Sequence, residues 1–342
     1  MLSHCTILNL DPDYVRTRNF INNTSSFLDH EIGEDLLYTQ RKPNWFFVGG
    51  TFPFNQIKKA YEVHKLNQLK VLGDYVYLGF DPITLRSIKF INGKSKIISD
   101  LLEPYPEAYG TNPIYKAYFS KVERFIVKNS QIVLSVTEEE TQNLEKKYGM
   151  GNIHTIRNFP DTDVFKSSPG KFENFSIVYF GISCPSRDLH PVEEAIALLQ
   201  KNYTSIDYHI IGPPELDKKS GINCIYHGWL DDEEAANIIG QCHLGIAPYN
   251  QNLHTQLTLQ NKSFQYAACD VLPLSTHLKP LNKYQELIKL VEANSSDYWY
   301  VELEKLYNSW QKGKLQFKQR EILIKNGWTA QDEWKKLKFL LG

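Results

Sequence analysis

Short runs of apolar and β-branched residues alternate along the chain with longer amphipathic stretches. In the first half, the apolar runs predict strands at residues 5–10, 44–50, 74–80, 95–102 and 131–137. In the second half, they predict strands at residues 175–181, 206–212, 222–230, 243–249 and 270–275. The amphipathic stretches predict helices at residues 54–70, 112–129, 190–202, 231–241 and 257–268. Alternation of this kind is typical of parallel sheets that are covered by helices on both faces.

The stretch NFPDTDVFKSSPGKFEN, residues 158–174, interrupts this alternation and is rich in Pro, Ser, Asp and Gly. Such a composition predicts a linker, and 342 residues are about right for two domains. We therefore expect an N-terminal domain of residues 1–166, a C-terminal domain of residues 167–325 and a final helix of residues 326–342. In doubly wound sheets, ligands bind beyond the carboxyl ends of the strands and at domain interfaces, so the expected site is a cleft between the domains.

Composition and charge exclude several classes of protein. The formal net charge is −1, and neither half has the basic excess expected of a nucleic-acid-binding protein. The longest apolar runs have the length of strands, which predicts no membrane-spanning helix. The five Cys residues are scattered, and we expect no secretory segment at the N-terminus; together these predict reduced thiols in a cytoplasmic protein. Lys-rich faces of the stretch 54–70 and of the last helix leave peripheral contact with the inner face of the cell membrane open, although most such faces are simply solvated.

Glycines and one arginine follow the predicted strands of the second half. Gly181, Gly212 and Gly228 each end a strand, where the missing side chain lets the backbone pass close to a ligand. Arg187 follows Gly181 shortly before the next predicted helix, and a guanidinium can hold a diphosphate through two parallel hydrogen bonds. The alternative is an ordinary strand-to-helix loop with a surface arginine.

The segment LQNKSFQYAACDVLPLS, residues 259–275, places Lys262 in the first turn of a helix predicted to begin near Thr258 or Leu259. A helix N-terminus offers free backbone N–H groups and a partial positive charge to an anion. A lysine there opposes the helix dipole, and this cost is offset only if an anion lies nearby. The position of Lys262 therefore favours a phosphate site over a solvated first turn. Gln265, three residues further on, lies on the same face and could donate a hydrogen bond to a ribose.

Several segments of the second half, taken in order, resemble the second domain of a GT-B glycosyltransferase, of the large group that includes family 4. NIHTIRNFPDTDVF resembles the segment at the domain junction, SIVYFGISCPSRDLHPVEEAIALL a strand and the helix after it, and QNKSFQYAACDVLPLS the donor-binding segment. The terminal GWTAQDEWKKLKFLL is similar to a Trp-containing helix that crosses back onto the first domain. The resemblance covers about residues 95–342. It implies two Rossmann-like doubly wound domains that face a cleft, with residues 326–342 packed on the N-terminal domain.

The same resemblance implies a nucleotide-sugar donor, expected to be a UDP-sugar, bound to the C-terminal domain. Arg187 stands where the group has its phosphate-binding lysine, and Lys262 is the second group that holds the diphosphate. The remaining residues expected to bind the donor are Gly181, Gly212, Gly228, Trp229 and Leu230 near the base, Tyr249 and Asn250 near the diphosphate and donor sugar, Thr258, and Gln265.

The chain departs from the group's pattern at four positions. Gln265 replaces the carboxylate that usually holds the ribose, and Leu257 stands where an earlier Glu would complete a spaced pair. Asp270 replaces a Gly after the helix, and Ile182 replaces an Arg after the strand. Lys-x-x-Gln is also similar to the xanthan-type glucuronosyltransferase, another GT-B enzyme.

That second similarity opens an inverting mechanism. An inverting enzyme needs one carboxylate to take the proton of the acceptor hydroxyl. Asp100, at the end of a first-half strand, is the candidate, and a structural role capping a turn is the alternative.

The expected function is a metal-independent hexosyltransferase that extends a glycan or lipid-linked acceptor in cell-surface polysaccharide biosynthesis, such as that of a capsule. No cofactor is expected beyond the nucleotide-sugar substrate. The alternatives are an inverting, glucuronosyltransferase-like enzyme that uses Asp100, a non-catalytic GT-B-like partner subunit that binds nucleotide or glycan, and a sugar-nucleotide epimerase on the same fold.

Overall fold

The computed structural model describes residues 3–8, 15–32, 74–79, 95–110, 112–213 and 222–342. The chain divides into two compact units: unit 1 comprises residues 1–157 and 334–342, and unit 2 comprises residues 158–333. Residues 158–166, which the sequence assigned to the N-terminal domain, thus belong to unit 2. The strand predicted at 44–50 and the helix predicted at 54–70 lie outside the described residues.

Unit 1 contains a six-stranded sheet in the order β2-β1-β3-β4-β5-β6, and all its described strand pairs are parallel. The strands are β1 (Ser3–Leu8), β2 (Leu28–Ile32), β3 (Tyr75–Leu78), β4 (Lys96–Asp100), β5 (Ile132–Ser135) and β6 (Ile153–Thr155). The helices are α1 (Val15–Thr24), α2 (Tyr105–Tyr109), α3 (Pro113–Asn129) and α4 (Glu138–Tyr148).

The C-terminal residues belong to the core of unit 1. Trp334 is 1% exposed, and its ring meets the ring of Phe20 edge-on at 5.3 Å. The hydroxyl of Tyr75 donates to the carbonyl of Leu341 at 2.9 Å. Because Trp334 is buried, this part of the last helix offers no tryptophan to a bilayer surface.

Unit 2 contains a second six-stranded parallel sheet, in the order β12-β11-β10-β7-β8-β9. The strands are β7 (Phe175–Phe180), β8 (Ile206–Ile211), β9 (Cys224–Gly228), β10 (Leu244–Ala247), β11 (Leu272–Thr276) and β12 (Lys289–Val291). The helices are α5 (His190–Asn202), α6 (Asp232–Gln241), α7 (Asn261–Ala268), α8 (Ser296–Gln311) and α9 (Gln319–Lys325), with a 3₁₀ helix at Lys279–Tyr284. The last helix, α10 (Ala330–Leu341), begins in unit 2 and has residues 334–341 in unit 1.

The strand order of unit 2 reverses between β7 and β10. The first strand in sequence, β7, lies in the middle, the next two strands extend the sheet to one side, and the last three extend it to the other. In sheets of this topology, ligands bind outside the carboxyl ends of the strands at the point of reversal. That point in unit 2 is the end of β7.

The alternation of buried side chains explains why these segments form a sheet with two covered faces. On β8, Ile211 belongs to a core cluster with residues of α6 and α7, whereas Tyr208 and Ile210 belong to a second cluster with residues of α5 and α8. The strands and helices predicted within the described residues are confirmed, with ends shifted by a few residues. In the described part of the chain, no helix is long and apolar enough to cross a membrane.

Candidate functional site

Gly181 lies at the end of β7, where the strand order reverses. Its φ is +129°, and its N–H donates to the carbonyl of Ile211 at 2.8 Å. A Cβ at this position would overlap the Lys262 amine and would lie 3.6 Å from Nη1 of Arg187. The positive φ strains any residue other than glycine here, and a side chain would also displace the Lys262 amine.

Lys262 and Arg187, called the cation pair below, meet beside Gly181. Lys262 is half-buried, and its Nζ lies 4.7 Å from the ring centroid of Phe180. Burial, and then the positive charge of Arg187, lower the pKa of Lys262 to about 7. The ion pairs formed within the described residues include neither member of the cation pair. An anion bound here would offset both the burial and the repulsion, since an opposite charge favours the charged form of an amine.

The N-terminus of α7 adds further unsatisfied groups to the cation pair. Gln260 is the N-cap and makes no side-chain capping bond, while Ser263 in the first turn is fully buried. Within the described residues, the hydroxyl of Ser263 and the side-chain carbonyl of Asn261 have no hydrogen-bond partner. Because buried polar groups are normally paired, these groups and the helix N–H groups fit a site that a ligand completes.

The helix begins later than the sequence predicted. α7 starts at Asn261 rather than near Thr258, because Thr258 is bonded within the preceding loop: its hydroxyl donates to the carbonyl of His254 at 3.2 Å and accepts from Gln260 at 3.0 Å. Thr258 therefore does not contribute the first turn of the helix. Gln265 does lie one turn after Lys262 and is 6% exposed, and its ribose contact stays a prediction.

Arg187 is carried by a tight turn after β7. Its N–H donates to the carbonyl of Cys184 at 2.7 Å. The segment after β10 holds this turn from outside, since the N–H of Asn250 donates to the carbonyl of Ser186 at 3.0 Å and its side-chain amide to that of Pro185 at 3.0 Å. The structure thus brings the predicted residue Asn250 to the same loop as Arg187.

Tyr249 is buried next to this loop, with its N–H donating to the hydroxyl of Thr276 at 3.1 Å. Burial raises the pKa of Tyr249 to about 12, and the charge of Arg187 opposes that rise. Tyr249 therefore lies within electrostatic reach of the cation pair.

Cys184 is a neighbour of the cation pair that the sequence did not single out. Its Sγ lies 3.1 Å from the hydroxyl of Ser186, and the side chain is half-buried. Burial alone would raise the pKa of the Cys184 thiol, but Arg187 and the Ser186 hydrogen bond outweigh it, so that the pKa lies below its ordinary value. In the sequence, its position three residues before Arg187 was the only feature that could have pointed to Cys184 as part of this site.

The ends of β8 and β9 lie side by side at the same edge of the sheet. The N–H of Gly212 donates to the carbonyl of Gly228 at 2.9 Å, and Gly228 has φ +77°. Trp229 is 70% exposed, so its ring can stack on a base, whereas Leu230 packs against the core. Asp231 is the N-cap of α6 and forms a capping box with Glu234.

The structure accounts for one departure from the GT-B pattern. Asp270 has φ +57°, the left-handed conformation for which glycine is the usual residue and which Asp tolerates better than most others. Its carboxylate accepts from the N–H of Arg320 at 3.2 Å, and its carbonyl accepts from the amine of Lys171 at 2.9 Å. The replacement is therefore accommodated by local bonds within unit 2.

Asp100, predicted as a base, lies in unit 1 and is fully buried. Arg16 donates to both its carboxylate oxygens, at 2.6 Å and 2.8 Å, and the hydroxyl of Tyr77 donates to one of them at 2.5 Å. A general base must reach the proton that it takes, and this carboxylate has both oxygens occupied and no exposed surface. The geometry favours a structural role over catalysis for Asp100.

No group of three or more His, Cys, Asp or Glu residues within the described ranges could hold a metal ion. The positive charge at the end of β7 comes from the cation pair and the N-terminus of α7.

No protein-family model and no curated protein matches the chain. Sucrose-phosphate synthase from Thermosynechococcus elongatus is similar in structure, with a TM-score of 0.71 and 10% identity over 100% of this chain and 98% of that one. HepE from Anabaena, solved with UDP-glucose, gives a TM-score of 0.66 and 11% identity over 99% of each chain. UDP-GlcNAc 2-epimerase from Neisseria meningitidis, bound to UDP-GlcNAc, gives 0.59 and 10% over 99% of each chain. With these neighbours and its two parallel Rossmann-like sheets, the chain has the GT-B fold.

Proposed function

We propose that this protein is a glycosyltransferase that moves a hexose from a nucleotide-diphosphate sugar, expected to be a UDP-sugar, to a glycan or lipid-linked acceptor. The observation that carries the proposal is the cation pair at Gly181, neither member of which forms a salt bridge with a carboxylate among the described residues, although Asp232 lies within electrostatic reach of Lys262. In this proposal, unit 2 binds the donor and unit 1 binds the acceptor. A role in cell-surface polysaccharide biosynthesis in the cytoplasm is part of the same proposal.

The proposed chemistry is the departure of a nucleoside diphosphate. The bond between the anomeric carbon and the β-phosphate oxygen breaks, and the acceptor oxygen bonds to that carbon. Charge develops on the departing diphosphate, where Lys262, Arg187 and the first turn of α7 are placed to stabilise it. These groups supply the positive charge that a metal would otherwise provide.

The acceptor proton has two destinations in the alternatives considered. In a retaining reaction, the departing diphosphate takes it, and no protein base is required. In an inverting reaction, a carboxylate takes it. Because Asp100 is held by Arg16 and Tyr77, the retaining form agrees better with the site.

Replacement of Lys262 tests the proposal. We expect Lys262→Ala to lower turnover of the accepted nucleotide sugar by a factor of roughly ten to a thousand, the usual effect of losing one electrostatic stabiliser. Lys289→Ala is the matched control: Lys289 is exposed at the start of the edge strand β12, whereas the cation pair lies at the carboxyl end of the central strand β7. Its loss should leave turnover unchanged. An unchanged rate for Lys262→Ala would refute the role of Lys262.

A second candidate is a sugar-nucleotide epimerase, since the enzyme from Neisseria meningitidis has a similar fold. Incubation of UDP-sugars without acceptor, followed by NMR of the products, separates the candidates. An epimerised UDP-sugar identifies an epimerase, while transfer only in the presence of acceptor identifies the transferase. UDP binding with neither reaction identifies the non-catalytic partner subunit suggested by Gln265 and Leu257.

A further inference from the structure

The loop that carries Arg187 is held from outside by a second amide, that of Asn294. Asn294 lies between β12 and α8, and its side-chain N–H₂ donates to the carbonyl of Asp188 at 3.0 Å and to the side-chain carbonyl of Asn250 at 3.1 Å. Asp188 directly follows Arg187. The amide of Asn294 therefore holds the loop directly at Asp188, and it also fixes the side chain of Asn250, which holds the loop at Pro185.

Asn250 completes the second half of this contact. Its side-chain amide donates to the carbonyl of Pro185 and its backbone N–H to that of Ser186, both at 3.0 Å. Because Asn294 occupies the carbonyl oxygen of the Asn250 side chain, the N–H₂ group of Asn250 is directed to the loop. The carbonyls on both sides of Arg187 are thus bonded to a single pair of asparagines.

The orientation of Asn294 is itself set by the core. Trp299 is fully buried in α8, and its indole N–H donates to the side-chain oxygen of Asn294 at 2.8 Å. An indole can only donate, so it selects the oxygen of the amide and turns the N–H₂ group toward Asp188 and Asn250.

We propose that Asn294 is a positioning residue for diphosphate binding, which it serves by fixing the place of Arg187 through Asn250 and residues 183–188. This inference rests on the proposed function of the cation pair. When the Arg187 loop is already ordered before the ligand arrives, binding loses less conformational entropy. Loss of Asn294 should therefore weaken the binding of a diphosphate to Arg187.

A double-mutant cycle between Asn294 and Arg187 tests this, with UDP as the probe and its Kd measured by calorimetry on the full chain. We expect Asn294→Ala to raise the Kd roughly three- to thirty-fold, which lies within the range for coupled residues in one hydrogen-bond network. In the Arg187→Ala background, the same change should raise the Kd less than about two-fold, because the residue through which Asn294 acts is gone.

A merely structural role would give a different result. The positioning role would be wrong if Asn294→Ala raised the Kd by the same factor in the wild-type and Arg187→Ala backgrounds. It would also be wrong if Asn294→Ala left the Kd unchanged in both. If Arg187→Ala itself left UDP binding unchanged, the proposed function of the cation pair would fail instead, so the two failures are distinguishable.

Two further variants keep the test decisive. Gln251→Ala is the matched control, since Gln251 donates two side-chain bonds to the carbonyls of His277 and Glu292, near Asn294 but not to the Arg187 loop. It should leave the Kd unchanged. If Asn294→Ala does not fold, Trp299→Phe removes the indole N–H that orients the amide, together with part of the buried ring. Its effect on the Kd should also vanish in the Arg187→Ala background.

Discussion

The pKa of Lys262 links proton binding to donor binding. Without a ligand, burial and Arg187 lower this pKa to about 7. A bound diphosphate would raise it again, because an opposite charge favours the protonated amine. Binding of an anion above pH 7 therefore requires the uptake of a proton.

This linkage predicts the pH dependence of affinity. For UDP-glucose, whose diphosphate does not titrate between pH 6 and 8.5, affinity should be highest below about pH 7 and should fall as pH rises, by at most about tenfold per pH unit. Calorimetric titrations across this range measure it. Lys262→Met should bind more weakly and show a flat profile. A wild-type affinity that rises with pH would contradict the assignment.

Cys184 gives an independent chemical probe of the same site. Its half-buried thiol has a lowered pKa beside Arg187. Cys224, also half-buried, lies on β9 and serves as the comparison. Since the thiolate is the reactive form, we expect iodoacetamide to label Cys184 readily, and UDP to slow labelling of Cys184 but not of Cys224. Peptide mass spectrometry after timed labelling measures both rates. If UDP slowed the labelling of both cysteines equally, or slowed neither, the result would contradict a diphosphate site beside Arg187.

At the scale of elements, the Asp100–Arg16 pair joins α1 to the end of β4, and Tyr77 on β3 donates to the same carboxylate. Arg16 also donates to the carbonyl of Ile156 at 3.0 Å, and its guanidinium lies 5.0 Å from the ring centroid of Trp334. All these contacts are internal to unit 1. The pair is therefore part of the packing that holds its sheet and helices together.

Asp100→Asn separates this structural role from a catalytic one. Removal of one charge from a buried ion pair leaves the other uncompensated and costs about 3–5 kcal/mol of folding stability. We expect a large fall in the midpoint of thermal unfolding, measured by circular dichroism. A variant with unchanged stability and abolished turnover would instead support Asp100 as the base.

The sequence predicted elements better than contacts. Periodicity located β7 to β11 because each of these strands contributes a short, largely apolar run, whereas the three-residue strand β12 was not predicted. The ordered motifs pointed to Lys262 and Arg187. The sequence could not show that Asn294 forms a hydrogen bond to Asp188, 106 residues away, or that Arg16 forms one to Asp100, 84 residues away. Such pairs depend on the topology of the sheets, which only the folded chain displays. The predicted start of α7 was too early, because the sequence does not reveal that the Thr258 hydroxyl forms hydrogen bonds to His254 and Gln260 in the preceding loop.

At the scale of the whole molecule, two six-stranded parallel sheets form a GT-B chain that shares only 10% identity with sucrose-phosphate synthase at a TM-score of 0.71. A fold preserved at such low identity does not specify an activity, because function depends on the groups placed on it. In the proposed function, those groups are the cation pair, the first turn of α7 and the asparagines that hold the Arg187 loop.

The most direct test of this account is the affinity for UDP-glucose at pH 7 of the wild-type protein and of the Lys262→Ala/Arg187→Ala double variant, measured by calorimetry. The account predicts that the wild type binds and that the folded double variant binds at least about a hundred-fold more weakly, since two charge-assisted contacts to the diphosphate are lost. Equal affinity of the two proteins would contradict it.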